Sequence, residues 1–176
     1  MTIAIISLLI FLIAMFSAAL SDMRTMTIHN WTSLLLIAGF LLIIPFIWSN
    51  WIEIGNPWII LGEHILVGIV VFLVGFVMFI MGWLGGGDAK LMAATAFWWH
   101  WADLFYYLVY TTVAGGLIAI FILFGRKFLP VRILTSPWVY RLVKDEKDMP
   151  YGLALAFGAL ATLPQSNIFE AAIGIL

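Results

Sequence analysis

Apolar runs long enough to cross a bilayer recur along the whole of this chain, and they leave it few ways to fold. In hydrocarbon every backbone polar group must be paired within the protein, so uncharged runs of this length form helices. They cover residues 3–20, 31–48, 65–84, 104–124 and 149–169. A sixth run, 91–101, has only about 11 residues and is followed by Asp103. It spans if Asp88 and Lys90 sit at or slightly below the interface, with Lys90 snorkelling outward. The expectation is an all-α integral membrane protein, a polytopic bundle of six transmembrane helices in a single domain, 1–176. Its spans are about 3–20, 31–48, 65–84, 89–102, 104–124 and 149–169.

Composition agrees and narrows the chemistry. Apolar residues make up 65% of the chain and charged residues 10%, with a mean hydropathy of +1.14. A soluble domain is about half apolar and about a quarter charged. A net charge of −1 gives no case for nucleic acid as a partner. Cysteine is absent, which removes disulfides, thiolate nucleophiles and Cys-rich zinc sites. No metal or cofactor is implied, so chemistry falls to carboxylates, hydroxyls, lysine or the three histidines. Ser17-Ala18-Ala19 resembles a signal cleavage site, but no basic residue precedes the first apolar run, so that run reads as a retained helix.

Six spans place the loops alternately on two sides. Arg24, Lys90, Arg126, Lys127, Arg132, Arg141, Lys144 and Lys147, all eight basic residues, then share one side. The other side, with the 49–63 loop, the 102–103 turn and both termini, carries Glu53, Glu63, Asp103 and Glu170. The positive-inside rule puts the basic side in the cytoplasm and both termini outside. The 125–148 stretch is too short for a separate domain and reads as a solvated basic face against anionic headgroups, or as a docking segment for substrate.

This topology has a chemical consequence. Asp22 ends the first helix and Asp88 begins the fourth on the same side, at the same depth. Small residues flank both: Ser17, Ala18, Ala19 and Ser21 before Asp22; Gly85, Gly86 and Gly87 before Asp88; Ala89, Ala93 and Ala94 after it. Such residues let helices one and four pack closely, with the glycines giving clearance. Two carboxyls brought together would share a proton, one activating water while the other polarises a carbonyl. Each aspartate alone reads equally as a helix cap or a solvated interface residue. From another class, the chain could be a small proton- or cation-coupled transporter or an assembly subunit with Asp88 as its ion site.

Gly85-x-Gly87-Asp88 resembles the GxGD signature of membrane-embedded aspartic peptidases. Asp22 followed six residues later by Ile28-His29-Asn30 looks like the first-aspartate motif of the type IV prepilin peptidases, and Gly85 to Ala94 matches their second-aspartate segment. Met149-Pro150-Tyr151-Gly152 is similar to the Pro-x-Gly opening of the last helix in short members. The resemblance implies six helices, catalytic Asp22 and Asp88, and cleavage at the cytoplasmic face of the bacterial inner membrane. The implied partners are prepilins or pseudopilins carrying a short basic leader before an apolar helix, together with the lipid bilayer. With no cysteine and no insertion after helix one, the chain resembles the peptidase-only form of tight-adherence (Flp) pilus systems, without methyltransferase activity. Oligomeric state is left open.

Residues around the aspartates fill lesser roles. The family has proline where this chain has His29; histidine keeps a backbone N–H, so a looser turn into helix two is expected. Gly85, Gly87, Ile28 and Asn30 belong to the motifs, and Arg24 and Asn30 are candidates to orient Asp22 or to be solvated. Lys90, about 200° around the helix from Asp88, is expected to face away as a headgroup anchor. Leu91 and Met92 share the Asp88 face and are expected to line a groove for the substrate's apolar segment. His64 follows Glu63 on the far side, where adjacent residues point apart and a joint metal site is not expected. His100, within Phe97-Trp98-Trp99-His100-Trp101, reads as part of an aromatic interface belt.

Overall fold

A computed structural model describes residues 2–128 and 149–174, and every regular element among them is helical. In order these are α1 (Thr2–Thr25), α2 (Asn30–Ile54), α3 (Pro57–Ile80), α4 (Gly86–Ala96), α5 (Trp101–Phe128), α6 (Tyr151–Thr162), a 3-10 turn (Leu163–Gln165) and α7 (Asn167–Ile173). Stretches 3–25, 30–54, 57–80 and 101–125 are each long and apolar enough to cross a membrane. The α6 segment and α7, bent by 53° at Ser166, could together form a fifth crossing. Pro164 and the Ser166 hydroxyl, which accepts the Phe169 N–H, account for the bend: the proline supplies no donor and Ser166 caps a new helix.

Two expected boundaries move. The loop expected at 49–63 is almost wholly helical. Trp51 is buried and carries α2 on to Ile54, and only Gly55 and Asn56 separate it from α3. The Asn56 side chain accepts the Trp58 N–H at 3.0 Å and Pro57 occupies the first turn, so the chain reverses in the fewest residues a capped start allows. The helix expected at 89–102 stops at Ala96. Eleven residues make roughly 16 Å of helix, about half the ~30 Å hydrocarbon thickness. A turn at 97–100 follows, and α5 restarts where the Asp103 carboxylate accepts the His100 N–H at 3.3 Å. Residues 125–128 of the basic segment expected at 125–148 belong to α5, and 129–148 lie outside the described residues.

The core lies among α1, α2, α4 and α6. Helix α1 buries Ala4, Ser7, Leu8, Phe11, Ala14, Met15, Ala18 and Asp22, a run at three- and four-residue spacing that delivers Asp22 to the interior. Its main partners are α2 and α6, while α4 packs on α3 and α2, so the direct packing of helices one and four expected from their small residues is not the main contact at either. Ser7 donates to the Gly39 carbonyl where α1 and α2 cross. Trp98 and Trp99 are fully buried, with Phe11 packed 4.7 Å from Trp98 between ring centroids, and Trp98 Nε1 donates to the Leu36 carbonyl at 3.0 Å. These tryptophans are core residues, which corrects the interface-belt reading of that stretch; Trp101 alone of the three is exposed.

Helices α5 and α6 approach most closely at Gly158, where a Cβ would lie 2.9 Å from the Thr111 backbone nitrogen. Gly158→Ala is therefore expected to force the pair apart and to cost about 1–3 kcal/mol, the usual range for overpacking. Thermal unfolding of the purified protein in detergent should show a lowered midpoint.

Candidate active site

Asp22 sits in the last turn of α1, 5% exposed. Below it the helix closes on Met26, whose N–H returns to the Asp22 carbonyl at 2.8 Å with φ of 53°. A left-handed residue that is not glycine costs about 1–2 kcal/mol, so the chain holds this turn against local preference. The Asp22 Oδ2 accepts the Gly152 N–H at 2.7 Å. Gly152 is the second residue of α6, and its N–H is one of those a helix start leaves without an internal partner. Pro150, at the cap position, makes no side-chain cap bond, so the carboxylate of α1 serves instead.

Asp88 is the third residue of α4, the position from which a carboxylate reaches back to the cap residue. It bonds the Gly85 backbone in this way. Its Oδ1 is buried without a hydrogen-bond partner among the described residues. The two carboxyls lie close enough to interact electrostatically. Each thus uses an oxygen on a helix start.

Ile28 joins the two halves. A Cβ on Gly87 would come within 3.1 Å of the Ile28 Cβ, and one on Gly152 within 2.8 Å of its Cδ1 and 2.9 Å of Asp22 Oδ2. Clearance for Asp22 therefore comes from Gly152 of α6. The expectation that Gly85, Gly86 and Gly87 make room for helix one is corrected: their α-carbons face Asp88 itself, Phe79 and Ile28.

His29 holds φ −75° and ψ 141°, a backbone that proline also adopts. Its Nδ1 lies 3.0 Å from Ser21 Oγ, and Ser21 Oγ donates to the Thr27 carbonyl at 2.6 Å. The turn is tied side chain to backbone, not loosened as expected. Lys90 faces away from Asp88 and donates to Asn30 Oδ1 at 3.1 Å. Asn30 thereby anchors the start of α2 to α4 and makes no hydrogen bond with Asp22; Arg24 is exposed. Leu91 is wholly buried in the core, whereas Met92 lines a groove between α3 and α5.

The far pole carries its own polar group. His64 is buried, stacks on Trp51 at 5.5 Å and lies 3.0 Å from the Phe97 carbonyl through Nδ1. His100 packs edge-on against it at 4.2 Å and pairs with Glu63 at 3.1 Å. The His64–His100 contact escaped the sequence reading, since 36 residues separate the two. Among the described residues no group of three His, Asp or Glu side chains is arranged to hold a metal.

A membrane-type helical bundle that gathers two carboxyls from distant helices defines a class, and comparison supplies the family. Residues 9–120, well over half of the chain and including both aspartates, match the model of the type IV leader peptidase family. The chain belongs to that family. It is a leader-peptidase-type protease whose substrates are, in general, of the prepilin type. No curated protein and no solved structure matches it.

Two substitutions test the geometry. His29→Pro fits the observed backbone and should leave folding intact or raise stability by about 0.4–1 kcal/mol, measured as a thermal midpoint. Gly152→Ala would push Asp22 and Ile28 aside and should lower leader cleavage at least tenfold with the protein still inserted, read by mobility shift of the substrate.

Proposed function

We propose that the chain is an aspartic endopeptidase that removes the short basic leader of prepilin-like proteins at the cytoplasmic face of the bacterial inner membrane. The observation that carries this reading is the meeting of Asp22 and Asp88 around Gly152 and Ile28, from helices 66 residues apart. In the proposed reaction one aspartate is ionised and the other protonated. The ionised carboxylate takes a proton from water as its oxygen bonds the scissile carbonyl carbon. The protonated carboxyl donates a hydrogen bond to the carbonyl oxygen as charge builds there. The C–N bond then breaks, the leaving nitrogen takes a proton from a carboxyl, and a new carboxyl and a new amine depart.

The reading includes the six-crossing topology and a single domain over 1–176. Asp88 adjoins the end of α1, while His100 reaches Glu63 at the start of α3, so the chain passes from one pole of the bundle to the other through α4 and its turn. This supports a crossing that α4 is too short to make by itself. All eight basic residues then lie on the aspartate side, which favours the cytoplasm for that pole and the outside for both termini. Four residues, 26–29, join α1 to α2, and the chain has no cysteine. Both features favour peptidase activity without methyl transfer as the proposed repertoire. Within the proposed site, Gly85, Gly87 and Ile28 position the carboxyls, and Lys90 and Asn30 hold α4 to α2.

Co-expression with a prepilin tests the proposal. Asp22→Asn and Asp88→Asn should each reduce processing by roughly 10²–10⁴-fold, the usual worth of a lost acid or base, with insertion unchanged. Processing retained in either variant would sink the two-aspartate mechanism, and an ion flux insensitive to Asp22→Asn would favour the transporter. For topology, single cysteines at Gly55 and Trp83, both exposed, should react with impermeant thiol reagents from opposite sides of the membrane.

A further inference from the structure

Helices α3 and α5 scarcely touch, and between them lies an apolar groove of about 640 Å3 floored by α4 and α6. Along α5 it extends from Leu104 to Ala119, roughly 22 Å at a rise of about 1.5 Å per residue. At one end it is walled by Leu84, Met149 and Tyr151, which adjoin Gly85 and Gly152, the backbone partners of the two aspartates. Small residues deepen it: Gly115 and Gly116 stand in the middle of α5, where glycine weakens a helix, and Gly116 has nothing within 4 Å of where its Cβ would be. Only 6% of the α5 crossing window is buried within the protein. A long groove, open along the bundle face, apolar but for Thr111 and Thr112 and ending beside the partners of the carboxyls, has the shape of a berth for a membrane helix.

We propose that this α3–α5 groove receives the apolar helix of the substrate, laid alongside α5 so that the segment just before it falls between Asp22 and Asp88. The assignment rests on the proposed peptidase function, because only a substrate with a leader outside the bilayer and a helix within it needs both places at once. Two other grooves also reach toward the site: one of about 410 Å3 between α2, α3 and α4, lined by Ile37, Asn30 and Lys90, and one of about 670 Å3 beside Met23 and Pro150. Of the three, the α3–α5 groove alone is walled by neighbours of both Gly85 and Gly152, the backbone partners of the two aspartates. Met92, on the Asp88 face of α4, and Val74 of α3 contact the bound helix, and Gly116 leaves room for its side chains.

The test uses the full chain in membranes with a full-length prepilin. Gly116→Leu projects into the groove from a position where a Cβ meets nothing within 4 Å, and it replaces a helix-weakening glycine, so the protein should insert and melt at or above the wild-type temperature. Cleavage should fall at least tenfold in kcat/KM. Gly62→Leu, also in open space but on the start of α3 outside the groove, should cleave as wild type does. A photo-crosslinker at Val74 should capture the prepilin through its apolar segment, whereas one at Ile37 should not. Undiminished cleavage by Gly116→Leu, or a Val74 adduct consisting of phospholipid or a second copy of the chain with prepilin captured elsewhere, would overturn the assignment. A wild-type chain that cleaves no prepilin would sink the peptidase reading itself, a result distinct from wild-type cleavage that Gly116→Leu leaves intact.

Discussion

The bond from the Gly152 N–H to the Asp22 carboxylate holds the rest of the site in place. A carboxylate carried into a helical bundle needs a donor, since burying the charged form without one is prohibitive. The start of α6 has N–H groups with no partner inside the helix and the positive end of its dipole. Each supplies what the other lacks. The bond closes at 2.7 Å only because residue 152 is glycine, for a Cβ there would sit 2.9 Å from the accepting oxygen. Ile28 occupies the space on the other side, against Gly87, and so transmits the position of α6 to the start of α4. Asp88 repeats the device within its own helix by bonding the Gly85 backbone. Capping and the proposed catalysis are compatible roles, because a carboxyl has two oxygens and a cap bond uses one.

Hydropathy located the helices because the bilayer requires long apolar runs, and the phase of Phe11, Ala14, Met15 and Ala18 turns Asp22 inward. The nearness of Asp22 and Asp88 was expected from their motifs and from the loop parity of a six-crossing topology. What escaped depends on information that side-chain polarity does not carry. Trp98 and Trp99 in the core have the same hydropathy as tryptophans at an interface, and only the Leu36 carbonyl and Phe11 distinguish the two settings. The 49–63 stretch looked loop-like through its Asn, Pro and Gly residues, yet Asn56-Pro57 compresses the reversal to a single capped start. The involvement of α6 was foreshadowed by Met149-Pro150-Tyr151-Gly152, but which glycine clears Asp22 is a matter of packing. Small residues on α1 and α4 suggested that those two helices meet directly, when the contact runs through a third.

His29 shows why a motif residue can change without the local structure following. Proline would fix φ covalently; here the backbone takes a proline-like φ of −75° while Ser21 holds both the ring and the Thr27 carbonyl. The Thr32 hydroxyl and N–H both return to the His29 carbonyl and begin α2 at the same point. Hydrogen bonds in a short polar turn thus substitute for a ring constraint. The difference lies in the unfolded chain, which histidine leaves freer than proline does.

The far pole sets the height of Asp88. With eleven residues, α4 is too short to cross a bilayer by itself, so its position in the bundle rests on the contacts at its two ends rather than on hydrophobic length. Its level is fixed from below by Trp98 Nε1 on the Leu36 carbonyl and by His64 beside the Phe97 carbonyl. From above it is fixed by Lys90 on Asn30. Any vertical slip of α4 would break bonds at both ends, including buried ones whose unpaired groups cost about 1–3 kcal/mol each. The buried tryptophans and the histidine pair are thus remote from the carboxyls yet govern where Asp88 meets Asp22. The short helix trades a hydrophobic ruler for hydrogen-bonded stops, a tighter device when two carboxyls must meet at one level.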